Sequence, residues 1–192
     1  MNTPPVIRLS RRVAYRTRWI RVEEHRLRLR PTGAEITYSF IVAARSVQIV
    51  AVTRQKRIVV VRQYRYPTRG WNYELPGGGA GRLPLLRAAQ RELEQETGYR
   101  AGRLRKLGDY VVYCGLSSEI CHVFLATDLR PGRQKLEATE HLSVREVSYK
   151  QFRGMIARGQ FRDGMGLASL KIAEPALRRV GVIPAAGPAP PS

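Results

Sequence analysis

Apolar and polar residues alternate along most of residues 12–42. Proline and glycine interrupt the alternation at Pro31-Thr32-Gly33, which predicts a turn. A period of two is typical of strands with one buried face. We therefore predict an antiparallel β-meander in this region, with its alternating apolar positions at Val13, Tyr15, Ile20, Val22, Leu27, Leu29, Ile36, Tyr38, Phe40 and Val42.

Beyond residue 44 the pattern switches between short apolar runs and helical periodicity. The first helix carries apolar residues on one face, and Gly98 stands where that helix should end. The order of these elements favours an α/β fold in which a mixed sheet is covered by helices. The predicted elements are strands at 48–52, 58–61, 110–113, 122–126 and 144–147 and helices at 85–97, 149–158 and 167–177.

The length of 192 residues and the 43% hydrophobic content predict a globular chain of about one domain. No apolar run approaches the roughly 18 residues that a membrane helix needs, and the basic N-terminal stretch lacks the apolar core of a secretory signal. Cys114 and Cys121 do not have a zinc-site spacing. We therefore expect a cytoplasmic protein with two reduced thiols and no membrane partner.

The charge balance favours anionic ligands. Lys and Arg total 34 against 15 Asp and Glu, which gives a formal net charge of +19. The basic residues are spread along the chain and form no dense block, so nucleic acid is a possible partner but not a favoured one.

The residues with the clearest chemical pattern lie between Glu74 and Tyr99. Glu92 and Glu96 are four apart, and like charges at this spacing repel each other on an isolated helix by about 0.2–0.5 kcal/mol. A hard cation between the two carboxylates explains the pair, because Mg²⁺ binds a few carboxylates together with phosphate oxygens. On spacing alone, a solvated helix face of mixed charge, with Arg91 offsetting Glu94, is the commoner explanation.

The segment Arg91-Glu92-Leu93-Glu94-Gln95-Glu96-Thr97-Gly98-Tyr99 resembles the end of the Nudix box, G-x5-E-x7-R-E-U-x-E-E-x-G-U, where U is bulky and apolar. Counting back from Arg91 places the first box glycine at Gly77. Aligning on Glu74-Leu75-Pro76 places it at Gly78 instead. Gln95 replaces one glutamate of the box, and the early box glutamate is absent in either alignment.

The resemblance extends over residues 10–178 and is closest to the ADP-ribose pyrophosphatase branch of the Nudix hydrolases. It is carried by Arg62-Gln63-Tyr64-Arg65, by residues 115–119 and 122–126, and by Glu137 and Glu140. It implies an αβα sandwich around a mixed sheet with an N-terminal antiparallel β extension. The implied organisation is a β extension at 1–43 that forms a homodimer, a Nudix domain at 44–180 and a disordered tail at 181–192.

The resemblance also implies roles for individual residues. Mg²⁺, with Mn²⁺ as a substitute, would be bound by Glu92, Glu96, Gln95 and the carbonyl of Gly77. Arg65 would contact the diphosphate, while Glu74 and Glu119 would bind other parts of a nucleoside diphosphate sugar. Trp19 and Tyr38 would stack on the base, and Glu140, together with Glu96, would act in catalysis.

The implied reaction is hydrolysis of the diphosphate linkage of ADP-ribose or a related nucleoside diphosphate sugar. Gln95 removes one negative charge from the metal cluster, and Cys114 stands where that branch usually has proline. These departures keep a second interpretation open, in which a catalytically weak or inactive Nudix-fold protein binds nucleotide or RNA.

Overall fold

A computed structural model describes residues 3–18, 20–136 and 140–184 of the 192-residue chain. Trp19, Glu137 and residues 185–192 of the predicted tail lie outside these ranges. The chain divides into two compact units. The first comprises Met1–Ala44 with Val111–Ile120, and the second comprises Arg45–Tyr110 with Cys121–Ser192. No helix of the described residues is long and apolar enough to cross a membrane.

The first unit contains the predicted meander. Its three antiparallel strands lie in the order β1-β2-β3, with the segment 111–120 against β3. The Ile41 amide donates to the carbonyl of Leu116, and the Ser118 amide donates to that of Ile41. The strands are β1 (Val6–Arg16), β2 (Arg21–Leu29) and β3 (Glu35–Ile41).

Within its described residues, the second unit contains two sheets and three α-helices. One sheet has the order β10-β5-β6, and the other has the order β7-β4-β9-β8, with β4 and β9 parallel. Its elements are β4 (Ser46–Ala51), β5 (Ile58–Arg65), β6 (Gly70–Glu74), β7 (Gly77–Gly79), α1 (Leu85–Thr97), β8 (Arg100–Val111), β9 (Ile120–Arg130), β10 (Leu142–Val147), α2 (Tyr149–Ala157) and α3 (Gly164–Arg179).

Two apolar cores separate the layers of the second unit. The first core joins residues of β4, β5 and β9, such as Val50 and Val60, to Phe152 of α2 and Leu177 of α3. The second core joins the other side of the same strands to Leu93 of α1. The sheets therefore lie between α1 and the pair α2 and α3, which confirms the predicted mixed α/β fold.

Helix α1 has the bounds that the sequence predicts. Ala88, Ala89 and Leu93 are buried against the second core, and Gly98 ends the helix with φ of +75°, a conformation that glycine adopts without strain. Helix α3 begins three residues before the predicted start. Asp163 caps it by accepting hydrogen bonds from the amides of Met165 and Gly166, a signal that apolar periodicity does not carry.

Candidate active site

Helix α1 places two carboxylates on one of its faces. Glu92 and Glu96 are one helical turn apart, and both are buried, with exposed fractions of 9% and 5%. Leu93 lies between them and packs into the core, which fixes the rotation of the helix about its own axis. Buried carboxylates are unfavourable unless they are paired, neutralised or bound to a cation, so the site must stabilise this pair in one of these ways.

The glycine segment Gly77–Gly79 runs alongside these carboxylates as strand β7. The Gly77 amide donates to Glu96 Oε2 at 2.9 Å. A β-carbon at Gly77 would overlap the carbonyl oxygen of Val47, and one at Gly78 would lie 2.7 Å from Glu92 Oε2. Glycine at these positions therefore lets the backbone reach both carboxylates and its own partner strand.

Burial raises the pKa of Glu96 to about 8. The negative charges of Glu92 and Glu140 act in the same direction, whereas the Gly77 hydrogen bond and the charge of Arg65 lower the pKa. A cation near these groups would favour the ionised carboxylate, because it would offset both burial and repulsion.

Arg91 holds Glu92 in place. Its guanidinium donates to Glu92 Oε1, and Nη2 also donates to the carbonyl of Gly79 at 3.2 Å. Glu94 pairs instead with Lys135, at 2.8 Å, and more distantly with Arg100. The expectation that Arg91 would offset Glu94 was therefore wrong, because Arg91 points towards the glycine segment.

Arg65 and Glu74 form a two-point ion pair across strands β5 and β6. Arg65 Nε donates to Glu74 Oε1 at 2.8 Å and Nη2 donates to Oε2 at 2.6 Å, while Gln63 Nε2 donates to Oε2 at 2.9 Å. Glu74 is buried, whereas half of the Arg65 side chain is exposed. The pair raises the pKa of Arg65, to which the charges of Glu96 and Asp163 also contribute.

A polar cleft of about 480 Å³ opens beside Arg65. Asp163, the capping residue of α3, lines it, and burial together with the charge of Glu74 raises the pKa of Asp163. The cleft is lined by Arg65, Thr68, Asn72, Glu74, Arg162, Asp163 and Gly164. Sequence reasoning missed Asp163, which lies four residues before the predicted start of the helix at 167–177 and directly before its observed start at Gly164.

Glu140 and Gln95 occupy different positions relative to the buried pair. Glu140 is half-buried, and its charge acts on Glu96. The Gln95 side chain is also half-buried, and its backbone carbonyl accepts a hydrogen bond from the Lys135 amide. Glu140 therefore interacts electrostatically with Glu96, as Glu92 and Arg65 do. Gln95 is the residue next to Glu96 on α1.

The other predicted substrate-binding residues belong to the first unit. Tyr38 is 39% exposed and donates its hydroxyl to the carbonyl of Gly115 at 2.7 Å. Together with Phe40, His25 and Leu116 it lines a cleft of about 240 Å³. Glu119 is half-buried, and its amide donates to Ser117 Oγ at 3.1 Å. Trp19 lies outside the described residues.

The carboxylates of α1 fit a divalent cation in their chemistry. Their oxygens are hard ligands, both groups are buried, and the pKa of Glu96 is raised chiefly by that burial and further by the charges of Glu92 and Glu140. Within the described ranges no three His, Cys, Asp or Glu side chains are gathered closely enough to surround an ion. A cation here would therefore depend on the glutamate pair together with backbone, water or substrate oxygens.

A protein-family model matches the part of the chain that contains this site. The model of the NUDIX domain matches residues 42–165, which is more than half of the chain. These residues include α1, the glycine segment and the Arg65–Glu74 pair.

Individual relatives share the same part of the chain. The ADP-ribose pyrophosphatase of Bacillus subtilis is 35% identical over 122 residues, which cover 62% of this chain and 65% of that protein. The GDP-mannose pyrophosphatase of Escherichia coli K12 is 30% identical over 128 residues, which cover 58% and 63% of the two chains. The matched region thus spans less than two thirds of each relative.

The fold also matches a solved structure. A crystal structure of an ADP compounds hydrolase superposes with a TM-score of 0.84 and covers 95% of this chain and 100% of its own, at 19% sequence identity. At that identity the match supports the fold.

Proposed function

The chain belongs to the NUDIX domain family, and from this premise we propose that it hydrolyses the diphosphate linkage of ADP-ribose or a related nucleoside diphosphate sugar. The products would be a nucleoside monophosphate and a sugar phosphate. The two relatives described above carry names that refer to ADP-ribose and to GDP-mannose, and this supports the substrate class.

One observation carries the proposal. The pKa of Glu96 responds to the charges of Glu92, Glu140 and Arg65, so these residues interact electrostatically within one site. Arg65 is in turn paired with Glu74. Carboxylates that can hold a cation and a guanidinium that can bind phosphate are what diphosphate hydrolysis requires.

We assign the cation to Glu92 and Glu96, with the carbonyl of Gly77 and the side chain of Gln95 as further ligands. When bound, Mg²⁺, or Mn²⁺ in its place, would supply positive charge that neutralises the diphosphate oxygens and acidifies the attacking water. Arg91 keeps Glu92 turned towards the glycine segment, and the Gly77 amide does the same for Glu96.

Arg65 binds the diphosphate in this proposal. Glu74 fixes the guanidinium plane through two hydrogen bonds, so that the remaining N–H groups are oriented before substrate arrives. Tyr38 and Glu119 are assigned roles in binding the base and the rest of the nucleotide sugar from the sequence resemblance alone. Trp19 is assigned a stacking role from the sequence resemblance alone.

Glu140 accepts the proton of the attacking water. The water oxygen forms a bond to one phosphorus, the bond from that phosphorus to the bridging oxygen breaks, and the bridging oxygen leaves with the other phosphate. A carboxylate within hydrogen-bond reach of the water can accept this proton directly.

We further propose that the protein is a cytoplasmic homodimer. The cytoplasmic location rests on the sequence expectation that Cys114 and Cys121 are reduced thiols. The meander of the first unit presents exposed Val13, Ile36 and Tyr38, which supports an interface between two copies.

The decisive experiment is a substrate panel with a metal titration. Purified protein is incubated with ADP-ribose, GDP-mannose and ATP at increasing Mg²⁺, and the nucleoside monophosphate is quantified by chromatography. We expect Mg²⁺-dependent release of AMP or GMP from a nucleotide sugar and little turnover of ATP. Binding of nucleotide or RNA without hydrolysis at any Mg²⁺ concentration would favour the alternative of an inactive binding protein.

A further inference from the structure

The polar cleft beside Arg65 has the lining that a sugar requires. Its volume of about 480 Å³ lies within the range of about 300–1,000 Å³ that is typical of small-molecule pockets. Apart from Gly164, its lining residues carry side chains that can donate or accept hydrogen bonds, and none of these described residues is aromatic. Each sugar hydroxyl can both donate and accept, so a lining of this kind can satisfy several hydroxyls at once.

Asn72 supplies a buried acceptor in this lining. Only 8% of the residue is exposed. Its amide nitrogen donates to Thr68 Oγ1 at 3.1 Å and to the carbonyl of Gly70 at 3.3 Å, and these bonds hold the side chain in place. Among the described residues, no donor is bonded to its carbonyl oxygen Oδ1. A buried acceptor of this kind favours a ligand that brings its own donor, such as a hydroxyl.

Asp163 supplies a second acceptor. Its Oδ1 accepts from the Met165 amide at 3.1 Å and its Oδ2 accepts from the Gly166 amide at 2.8 Å. Each carboxylate oxygen can accept more than one hydrogen bond, so capping of α3 leaves room for a hydroxyl donor. The adjacent Arg162 is exposed and lines the same cleft, and it pairs with no carboxylate of the described residues. Its guanidinium can therefore donate to ligand oxygens.

Arg65 connects the cleft to the proposed metal site. It lines the cleft, and the charges of both Glu96 and Asp163 contribute to its raised pKa. A diphosphate bound to Arg65 would therefore lie between the α1 carboxylates and the cleft, and the group attached to it could enter the cleft. A nucleobase is usually held by stacking on aromatic side chains, which this lining lacks. The lining therefore favours a sugar over a base.

We propose that this cleft binds the sugar on the far side of the diphosphate from the nucleoside, which we call the distal sugar, and that Asn72, Arg162 and Asp163 determine which sugar is accepted. Asn72 Oδ1 and the Asp163 carboxylate accept hydrogen bonds from its hydroxyls, and Arg162 donates to its oxygens. The three residues bind and select the distal sugar, and none of them transfers a proton in the reaction. This inference rests on the proposed hydrolysis of nucleotide sugars.

Three substrates separate the two ends of the molecule. ADP-ribose and ADP-mannose share the nucleoside and differ in the distal sugar, whereas ADP-mannose and GDP-mannose share the distal sugar and differ in the base. The value of kcat/KM is measured for each at saturating Mg²⁺ in the wild type and in Asp163→Asn. Asparagine caps a helix about as well as aspartate, so α3 should stay intact.

Asp163→Asn should lower kcat/KM for the preferred distal sugar about tenfold, because one acceptor becomes a donor. The preference between ADP-ribose and ADP-mannose should change at least about fivefold, and that between ADP-mannose and GDP-mannose should stay within about twofold. Asp128→Asn is the matched control, because Asp128 is exposed, pairs with Arg103 and lies outside the cleft lining. It should leave both preferences unchanged.

Arg162→Ala is a second variant that does not touch the helix cap. It should change the sugar preference at least about threefold, and Arg179→Ala, at an exposed position at the end of α3, should not. A changed base preference with an unchanged sugar preference would assign the cleft to the nucleoside and overturn the inference. An active enzyme whose sugar preference is unchanged in both variants also overturns the inference alone. A wild-type protein that hydrolyses no nucleotide sugar overturns the proposed function together with it.

Discussion

Both carboxylate oxygens of Glu74 accept hydrogen bonds from the guanidinium group of Arg65, and these two bonds fix the orientation of that group between strands β5 and β6. Bidentate pairing of this kind depends on the planar geometry of arginine. Lysine at the same position would keep the charge but lose the second hydrogen bond and the fixed orientation.

Arg65→Lys should lower kcat/KM for ADP-ribose about 10–100-fold, since a hydrogen bond between charged groups contributes roughly 1.5–3 kcal/mol. Arg62→Lys is the control, because Arg62 lies on the opposite face of β5 over the ring of Trp71. Steady-state kinetics of the two variants provide the comparison. Equal effects on both would show that Arg65 contributes only general positive charge.

Glu96→Gln should reduce hydrolysis about 10²–10³-fold while the fold survives. The amide keeps the size of the side chain and can still accept the Gly77 hydrogen bond, so circular dichroism should match the wild type. Glu174→Gln, a change on α3 that removes only an ion pair with Lys171, should leave activity unaltered. Near wild-type turnover of Glu96→Gln at limiting Mg²⁺ would contradict the assignment.

The stability of the metal-free protein should depend on pH through Glu96. Its pKa is about 8 in the folded state against 4.5 for an ordinary glutamate, so between these values the unfolded chain releases a proton that the folded chain keeps. The free energy of unfolding should therefore fall from about pH 4.5 to about pH 8, by a few kcal/mol at most, and then level off.

This pH dependence is measured by urea unfolding in EDTA. Glu96→Gln should show a flatter profile than the wild type across the same range, because its side chain does not titrate. Added Mg²⁺ should also flatten the wild-type profile, since a bound cation lowers the pKa of its ligands. Parallel profiles for the two proteins in EDTA would contradict the prediction.

Gln95→Glu should raise activity at low Mg²⁺ more than at saturating Mg²⁺. The substitution adds a carboxylate next to Glu96, which should increase affinity for the cation. Gln55→Glu in the turn between β4 and β5 is a control for added negative charge. An unchanged response of Gln95→Glu across the titration would place this side chain away from the metal.

A dimer built on the first unit should be disrupted by charge on the apolar face of its sheet. Val13, opposite Glu23, and Ile36, opposite Leu27, share that face. Val13→Asp with Ile36→Asp should halve the mass measured by light scattering at micromolar concentration, and Thr37→Asp on the opposite face should not. A monomeric wild-type protein would reject the proposed interface.

Local pattern predicted some parts of this molecule better than others. The α1 bounds and the carboxylates of Glu92 and Glu96 follow from helical spacing, because residues three or four apart share a helix face. The surroundings of these groups come from residues far apart in sequence: Gln134 donates to the carbonyl of Glu96, and Asp163 lines the same cleft as Glu74. Apolar periodicity carries no information about such pairs.

The charged pairs illustrate the same limit. Arg91 is three residues before Glu94 and adjacent to Glu92, and spacing alone favoured the first partner. In the structure Arg91 pairs with Glu92, because the carbonyl of Gly79 provides a second hydrogen-bond acceptor on that side of the helix. Competition among acceptors is decided by tertiary placement, which the one-dimensional sequence does not give.

The three glycines of strand β7 also differ in what they would tolerate in a saturation mutagenesis library. Gly77 abuts the backbone of β4 and should accept no other residue, while Gly78 abuts a carboxylate whose rotamer can shift, so alanine there should fold but lose metal affinity. A β-carbon at Gly79 meets nothing within 4 Å. The three glycines therefore differ in how strictly glycine is required: the requirement is strict at Gly77, weaker at Gly78 and weakest at Gly79.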